Sequence, residues 1–257
     1  MFKHVAAIVF IYLCVCLAWV ILGNTVLHRS YDADHNLSKN VEHLWGTAQT
    51  QGPPAFYALS GQEKTLRRTP INIAASAIDV SLALNQRKKG LLWYPTYHVK
   101  FSGAYDVENT SDQAEDVECN FKLPSVSAVY DNLKFIVDGK RITEINPDQG
   151  MLKSKIIVPP HQKERVSLSY DSQGLNEWRY GSAEGISQVR DFSLTMNTDF
   201  AAIDFPEGTR SATTKTRVGD GWRLGWKYDN TVSGNLIGLS MPRLLNPGPW
   251  VSDVSVP

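Results

Sequence analysis

Hydrophobicity along this chain is first continuous, then helical in period, then alternating, and each pattern predicts a different element. Residues 5–22 read VAAIVFIYLCVCLAWVIL, an uncharged run whose partly polar member is Tyr12. At about 1.5 Å per residue such a helix spans roughly 27 Å, close to the hydrocarbon thickness of a bilayer. A segment in hydrocarbon must satisfy its own backbone, which selects a helix. The competing reading is a cleaved signal peptide, whose apolar core is normally about 7–15 residues and ends at small residues. This run is longer and Ile21-Leu22-Gly23 is a poor cleavage site, so an uncleaved anchor is expected. Leu13 and Val15 precede Cys14 and Cys16, which does not suit a lipid-modified cysteine. Lys3 precedes the run, while His28 and Arg29 and then Asp32 and Asp34 follow it, a bias toward a cytoplasmic N-terminus.

Over 36–48 the apolar residues Leu37, Val41, Leu44, Trp45 and Ala48 share one helical face. A juxtamembrane amphipathic helix is expected over 35–50, stopped by Gly52-Pro53-Pro54. Its polar face carries His35, Lys39, Glu42 and His43 rather than a basic run, which favours packing on the next domain over lying on the bilayer. Residues 56–70 read as a poorly patterned connector.

From about Ala77 the period becomes two. Ile78, Val80 and Leu82 alternate with polar residues, as do Tyr97, Val99, Phe101 and Tyr105, and then Val117, Cys119, Phe121 and Leu123. Such alternation marks strands with one buried and one wet face. Asp138-Gly139 between 133–137 and 141–142 is a tight-hairpin signal. Further strands are expected at 155–158, 165–170, 191–196, 222–228 and 236–241. The expected fold is mainly β: an immunoglobulin-like sandwich at 77–172, and a second β unit at 186–245 that packs on it. Residues 246–257 form an irregular tail whose Pro-rich start gives the expectation of a longer parent chain.

Composition narrows the function classes. Lys+Arg and Asp+Glu are equal at 26 each, which argues against nucleic acid as the main partner. Cys119 alone lies outside the apolar run, and its place in an alternating strand points to a small buried residue rather than a reactive thiol. The six His form no HExxH pair or Cys/His ligand set. No GxSxG elbow, phosphate-binding loop or dinucleotide fingerprint occurs. No catalytic, cofactor-binding or metal residues are therefore assigned. Asp112–Asp116 reads as a polar loop. Arg87-Lys88-Lys89-Gly90 reads as a basic turn, either simply solvated or touching anionic headgroups at about 1 kcal/mol per charge.

The aromatics carry the remaining signal. Trp93, Tyr94, Trp178, Tyr180, Trp222 and Trp226 are candidates for a ligand or partner surface. Trp222, Leu224 and Trp226 would share one sheet face. Core filling is the expected role for alternating aromatics, and a flat platform for a glycan is the sharper alternative.

The run from Gln49-Thr50-Gln51-Gly52-Pro53 through Arg87-Lys88-Lys89-Gly90-Leu91-Leu92-Trp93-Tyr94 to Tyr97-x-Val99-x-Phe101-x-Gly103-x-Tyr105 resembles the CreD family of bacterial inner-membrane proteins. Those have an anchor, a periplasmic β domain opened by an Arg-x-x-Gly-aromatic turn and strand, and several C-terminal transmembrane helices. The likeness covers about the first half of this chain. The second half departs from the pattern and shows no further apolar helix. The resemblance implies a periplasmic domain linked to envelope integrity, with no catalytic residues. The expected function is a non-enzymatic, membrane-anchored domain acting through protein contacts. Its expected partners are the lipid bilayer and other envelope proteins. A glycan- or peptidoglycan-binding module is the alternative.

Overall fold

The computed structural model describes residues 2–61, 67–90, 92–142, 149–181, 187–233 and 236–244. It is mainly β, with one N-terminal helix and several sheets. Helix α1 runs Phe2–Trp45 without a break. The helix expected at 35–50 is thus the end of α1 rather than a separate element. The reason lies in the chain: no proline occurs before Pro53, and Gly46 at φ +98° is the first breaker after the apolar part. A side chain at Gly46 would also overlap the backbone of Gln173. Within α1, the 24 residues Lys3–Val26 are long and apolar enough to cross a membrane, a test that a signal sequence also passes.

Seventeen strands follow among the described residues. They are β1 (Gln49–Gln51), β2 (Ala55–Ser60), β3 (Arg67–Ile71), β4 (Ile73–Leu84), β5 (Arg87–Lys89), β6 (Leu92–Tyr94), β7 (Thr96–Glu108), β8 (Glu115–Lys122) and β9 (Tyr130–Val137). Then come β10 (Lys140–Ile142), β11 (Met151–Val158), β12 (Lys163–Leu175), β13 (Glu177–Tyr180), β14 (Ser187–Thr198), β15 (Thr214–Val218), β16 (Gly221–Ser233) and β17 (Ile237–Ser240). An eight-stranded sheet has the order β10-β9-β12-β7-β4-β14-β16-β15. A four-stranded sheet has the order β11-β8-β2-β3, and a three-stranded one β1-β13-β17. The hairpin β5–β6 stands in a sheet of its own.

Two compact units result. One comprises Met1–Leu44, Arg87–Tyr94 and Arg243–Pro257, and the other Trp45–Gln86 and Pro95–Pro242. The second unit holds the three larger sheets. The β7 positions Tyr97, Val99, Phe101, Tyr105 and Val107 are all buried, as the alternation predicts. They meet Val117, Cys119 and Phe121 of β8 in one continuous core, where the Phe101 and Phe121 rings lie 6.3 Å apart. The four-stranded sheet therefore packs against the eight-stranded one. Trp178 and Tyr180 of β13 close the same core, with ring centroids 6.4 and 6.5 Å from Phe101. The Asp138-Gly139 turn forms as expected, with φ of 46° and 71° at its two residues and Val137 opposite Lys140.

Three expectations change. Residues 56–70 are not a plain connector, because β2 and β3 pair there and β2 also pairs with β8. Gln49–Gln51 is strand, not helix. The strands of 186–245 do not form a sheet apart: β14 pairs in parallel with β4, Met196 opposite Val80, and so extends the first sheet. Residues 186, 234–235 and 245 of the expected second unit, and all of the tail at 246–257, lie outside the described residues.

Candidate functional site

The short strand β1 places two polar side chains in the core. Gln49 and Gln51 are both fully buried, on either side of exposed Thr50. A buried amide costs free energy unless its donors and acceptor are matched. Gln51 Nε2 donates to the carbonyls of Gly52 (2.7 Å) and Lys122 (3.0 Å), and the Tyr170 hydroxyl donates to its Oε1 at 2.7 Å. Gln49 Nε2 donates to the Gln173 carbonyl (2.8 Å) and to Ser172 Oγ (3.1 Å). Ser172 Oγ in turn donates to the Val129 carbonyl at 2.9 Å. Through these bonds β1 is tied to β12, to the end of β8 and to the loop before β9.

Four tyrosines line the same region. The Tyr97 hydroxyl donates to the Glu177 carbonyl at 2.7 Å, and the Tyr105 and Tyr180 hydroxyls lie 3.2 Å apart. Burial pushes Tyr97, Tyr105 and Tyr170 well above the ordinary phenol range and raises Tyr180 as well. At neutral pH these phenols are hydrogen-bond donors, not bases. The Cys119 thiol is buried and pushed up to about 12, so it is a thiol and not a nucleophilic thiolate. Among the described residues, no group of three or more His, Cys, Asp or Glu side chains could hold a metal ion.

The aromatic candidates separate. Trp178, Tyr180 and Trp226 are 0%, 4% and 1% exposed and belong to the core. The Trp226 indole donates to the Arg210 carbonyl at 3.0 Å, and its ring meets Phe205 edge-on. These three cannot form a surface platform. Trp222 is half-buried, donates to the Ala201 carbonyl at 2.8 Å and lies under the Arg217 guanidinium at 5.1 Å. Trp93 is half-buried and Tyr94 buried, both on β6. Of the four in the larger unit, three share one core and Trp222 packs against it, so they form no exposed platform. Gln49 and Gln51 went unforeseen, because a buried polar pair leaves no hydrophobic period. The one available signal was Gly52-Pro53-Pro54, which makes a helix poor immediately before it.

One end of the β unit gathers its chain crossings. Leu175 N–H donates to the Thr47 carbonyl, where the chain arrives after α1, and Asn176 N–H donates to the Pro95 carbonyl, where the β5–β6 hairpin returns. Both bonds are 3.1 Å long. Asn85 N–H donates to the Thr96 carbonyl at 2.8 Å, and Thr96 Oγ1 donates to the Asn85 carbonyl, closing the hairpin's root. Gln86 Nε2 donates to the Pro242 carbonyl at 2.9 Å, and Met241 N–H to the Asn176 carbonyl at 2.7 Å. Entry from α1, the hairpin root and the stretch after β17 are therefore stitched together by Leu175, Asn176 and Gln86.

No family model matches the chain, and no curated protein matches it. Among solved structures, it is similar to a Legionella pneumophila protein assigned a nutrient-binding role. That match has 11% identity and a TM-score of 0.49, and it covers 76% of this chain and 71% of that one. It is also similar to an M1 zinc metallopeptidase from Deinococcus radiodurans, at 12% identity and a TM-score of 0.30, over 60% of this chain and 38% of that one. Neither likeness is near enough to carry a function to this chain.

Proposed function

We propose that this chain is a non-enzymatic, membrane-anchored protein of a bacterial inner membrane, whose β unit works in the periplasm through contacts with other envelope proteins. The observation that carries the reading is α1. Its 24-residue apolar part is exposed along its length, which in water would cost the burial free energy of a whole apolar face and in a bilayer costs nothing. We read the β unit as an immunoglobulin-like sandwich centred on 77–172, to which β2 and β3 add to one sheet and β14, β16 and β15 to the other. Its buried phenols and the Cys119 thiol are held in their neutral forms, which favours surface contacts over chemistry as its mode of action. The CreD-like pattern at Gln49–Pro53, Arg87–Tyr94 and Tyr97–Tyr105 supports the envelope assignment.

The glycan-binding alternative is weakened by the burial of Trp178, Tyr180 and Trp226. Protease shaving tests the proposal. Protease added to spheroplasts should cut the β unit and leave an N-terminal fragment in the membrane. Protection in spheroplasts with cleavage in inverted vesicles would reverse the orientation and remove the periplasmic reading.

A further inference from the structure

Strands β5 and β6 form a two-stranded sheet of their own. They pair only with each other, Arg87 opposite Tyr94, Lys88 opposite Trp93 and Lys89 opposite Leu92. Gly90 at φ +62° makes the turn. Three consecutive cations therefore face an aromatic-apolar strand residue for residue. Lys88 Nζ sits 5.8 Å from the centre of the Trp93 ring, so the ammonium is drawn toward the ring face rather than toward a carboxylate. Neither Lys88 nor Lys89 makes an ion pair among the described residues. No Asp or Glu occurs in the sequence between Asp79 and Asp106. Pro95, which follows the hairpin in sequence, and Thr47, which follows α1, are held by the adjacent residues Asn176 and Leu175.

We infer that the β5–β6 hairpin is a second membrane contact: it docks on an anionic lipid surface, with Lys88 and Lys89 on the headgroups and Trp93 at the level of the interface. The inference rests on the reading of α1 as an anchor, which tethers the chain to a bilayer. Cationic side chains next to an anionic leaflet gain electrostatic free energy, and an indole is at home where one side is apolar and the other wet.

The test uses the full chain reconstituted in nanodiscs of phosphatidylcholine alone or phosphatidylcholine with phosphatidylglycerol, read by amide hydrogen exchange at 87–94, with β16 as the internal reference. Exchange at the hairpin should slow in the anionic discs alone. The added protection should fall roughly fivefold for each lysine neutralised, in Lys88→Gln and in Lys88→Gln/Lys89→Gln, and vanish at high salt. Unchanged exchange at β16 shows that a variant is folded. Equal hairpin exchange in the two discs, or protection that survives in the double variant, overturns the inference. So does protection produced by inorganic phosphate over phosphatidylcholine discs. Failure of the chain to remain with either disc would instead remove the anchor reading, so the two failures are distinguishable.

Discussion

Gln51→Leu is the sharpest perturbation of the β unit, because it keeps the side chain's bulk and removes its bonding. In the folded protein the change leaves the Tyr170 hydroxyl buried with no acceptor and takes one donor each from the Gly52 and Lys122 carbonyls. Tyr170 is 1% exposed, so water does not replace the lost acceptor. An orphaned buried hydroxyl costs about 1–3 kcal/mol, and a carbonyl that loses one of two bonds costs less. The added apolar surface of leucine returns part of this. The net expectation is a loss of roughly 2–4 kcal/mol. Tyr170→Phe alone should cost about 1–2 kcal/mol, since it strands Gln51 Oε1 instead. The double variant removes both halves of the Tyr170–Gln51 bond, so it should be more stable than the sum of the single losses by about 1–2 kcal/mol. The assay is guanidinium unfolding of the full chain in detergent, followed by tryptophan fluorescence with Trp178 in the affected core. Additive losses within error, or a Gln51→Leu variant as stable as the parent, would refute the view that β1 is pinned by its glutamines.

Other expectations follow from the same geometry. The two hydrogen bonds from Arg165 to Asp106, 2.7 and 2.9 Å, hold that carboxyl below its usual range. Because the folded value is the lower one, the stabilisation is complete above about pH 4 and is lost as pH falls through the folded value. With Arg165 67% exposed, Asp106→Asn should cost well under about 1 kcal/mol at neutral pH, and the difference from the parent should close in acid unfolding curves. Cys119 should resist iodoacetamide in the folded protein and react after unfolding; labelling at the native rate of a free thiol would contradict its burial. Gly174→Ala should destabilise by more than about 2 kcal/mol in thermal melts, because a Cβ there would overlap the Tyr97 ring; a neutral result would show that the ring can move. Trp222→Ala should leave retention on immobilised cell-wall fragments unchanged, and loss of real retention would restore the glycan reading.

The strands that were legible are those with one apolar face. In β7 and β8 each second residue is buried, and the sequence period matches the burial pattern along nearly all of both. What escaped did so for identifiable reasons. In β1 the buried residues are glutamines, so the hydrophobic period is absent. All five residues of β15 are exposed at the edge of its sheet, which leaves no apolar face to detect. In β2, Ala-Phe-Tyr-Ala-Leu-Ser lacks a strict alternation, and only Phe56 is fully inside. The parallel pairing of β14 with β4 joins residues more than a hundred positions apart, which no local pattern encodes. The aromatic candidates were half legible. Leu224 and Trp226 do share the buried face of β16, while Trp222, at the strand's start, stays half-exposed because its indole reaches to Ala201 instead. The basic turn was visible as charge, but that β5 and β6 pair only with each other is seen only in the strand pairing.

The anchor reading can be tested on the protein made in its own host, by intact mass of the mature chain in the membrane pellet after alkaline carbonate extraction. The account predicts a chain that retains residues 3–26, stays in the pellet and leaves it only with detergent. A mature protein that begins after the apolar segment and is released by carbonate would contradict it.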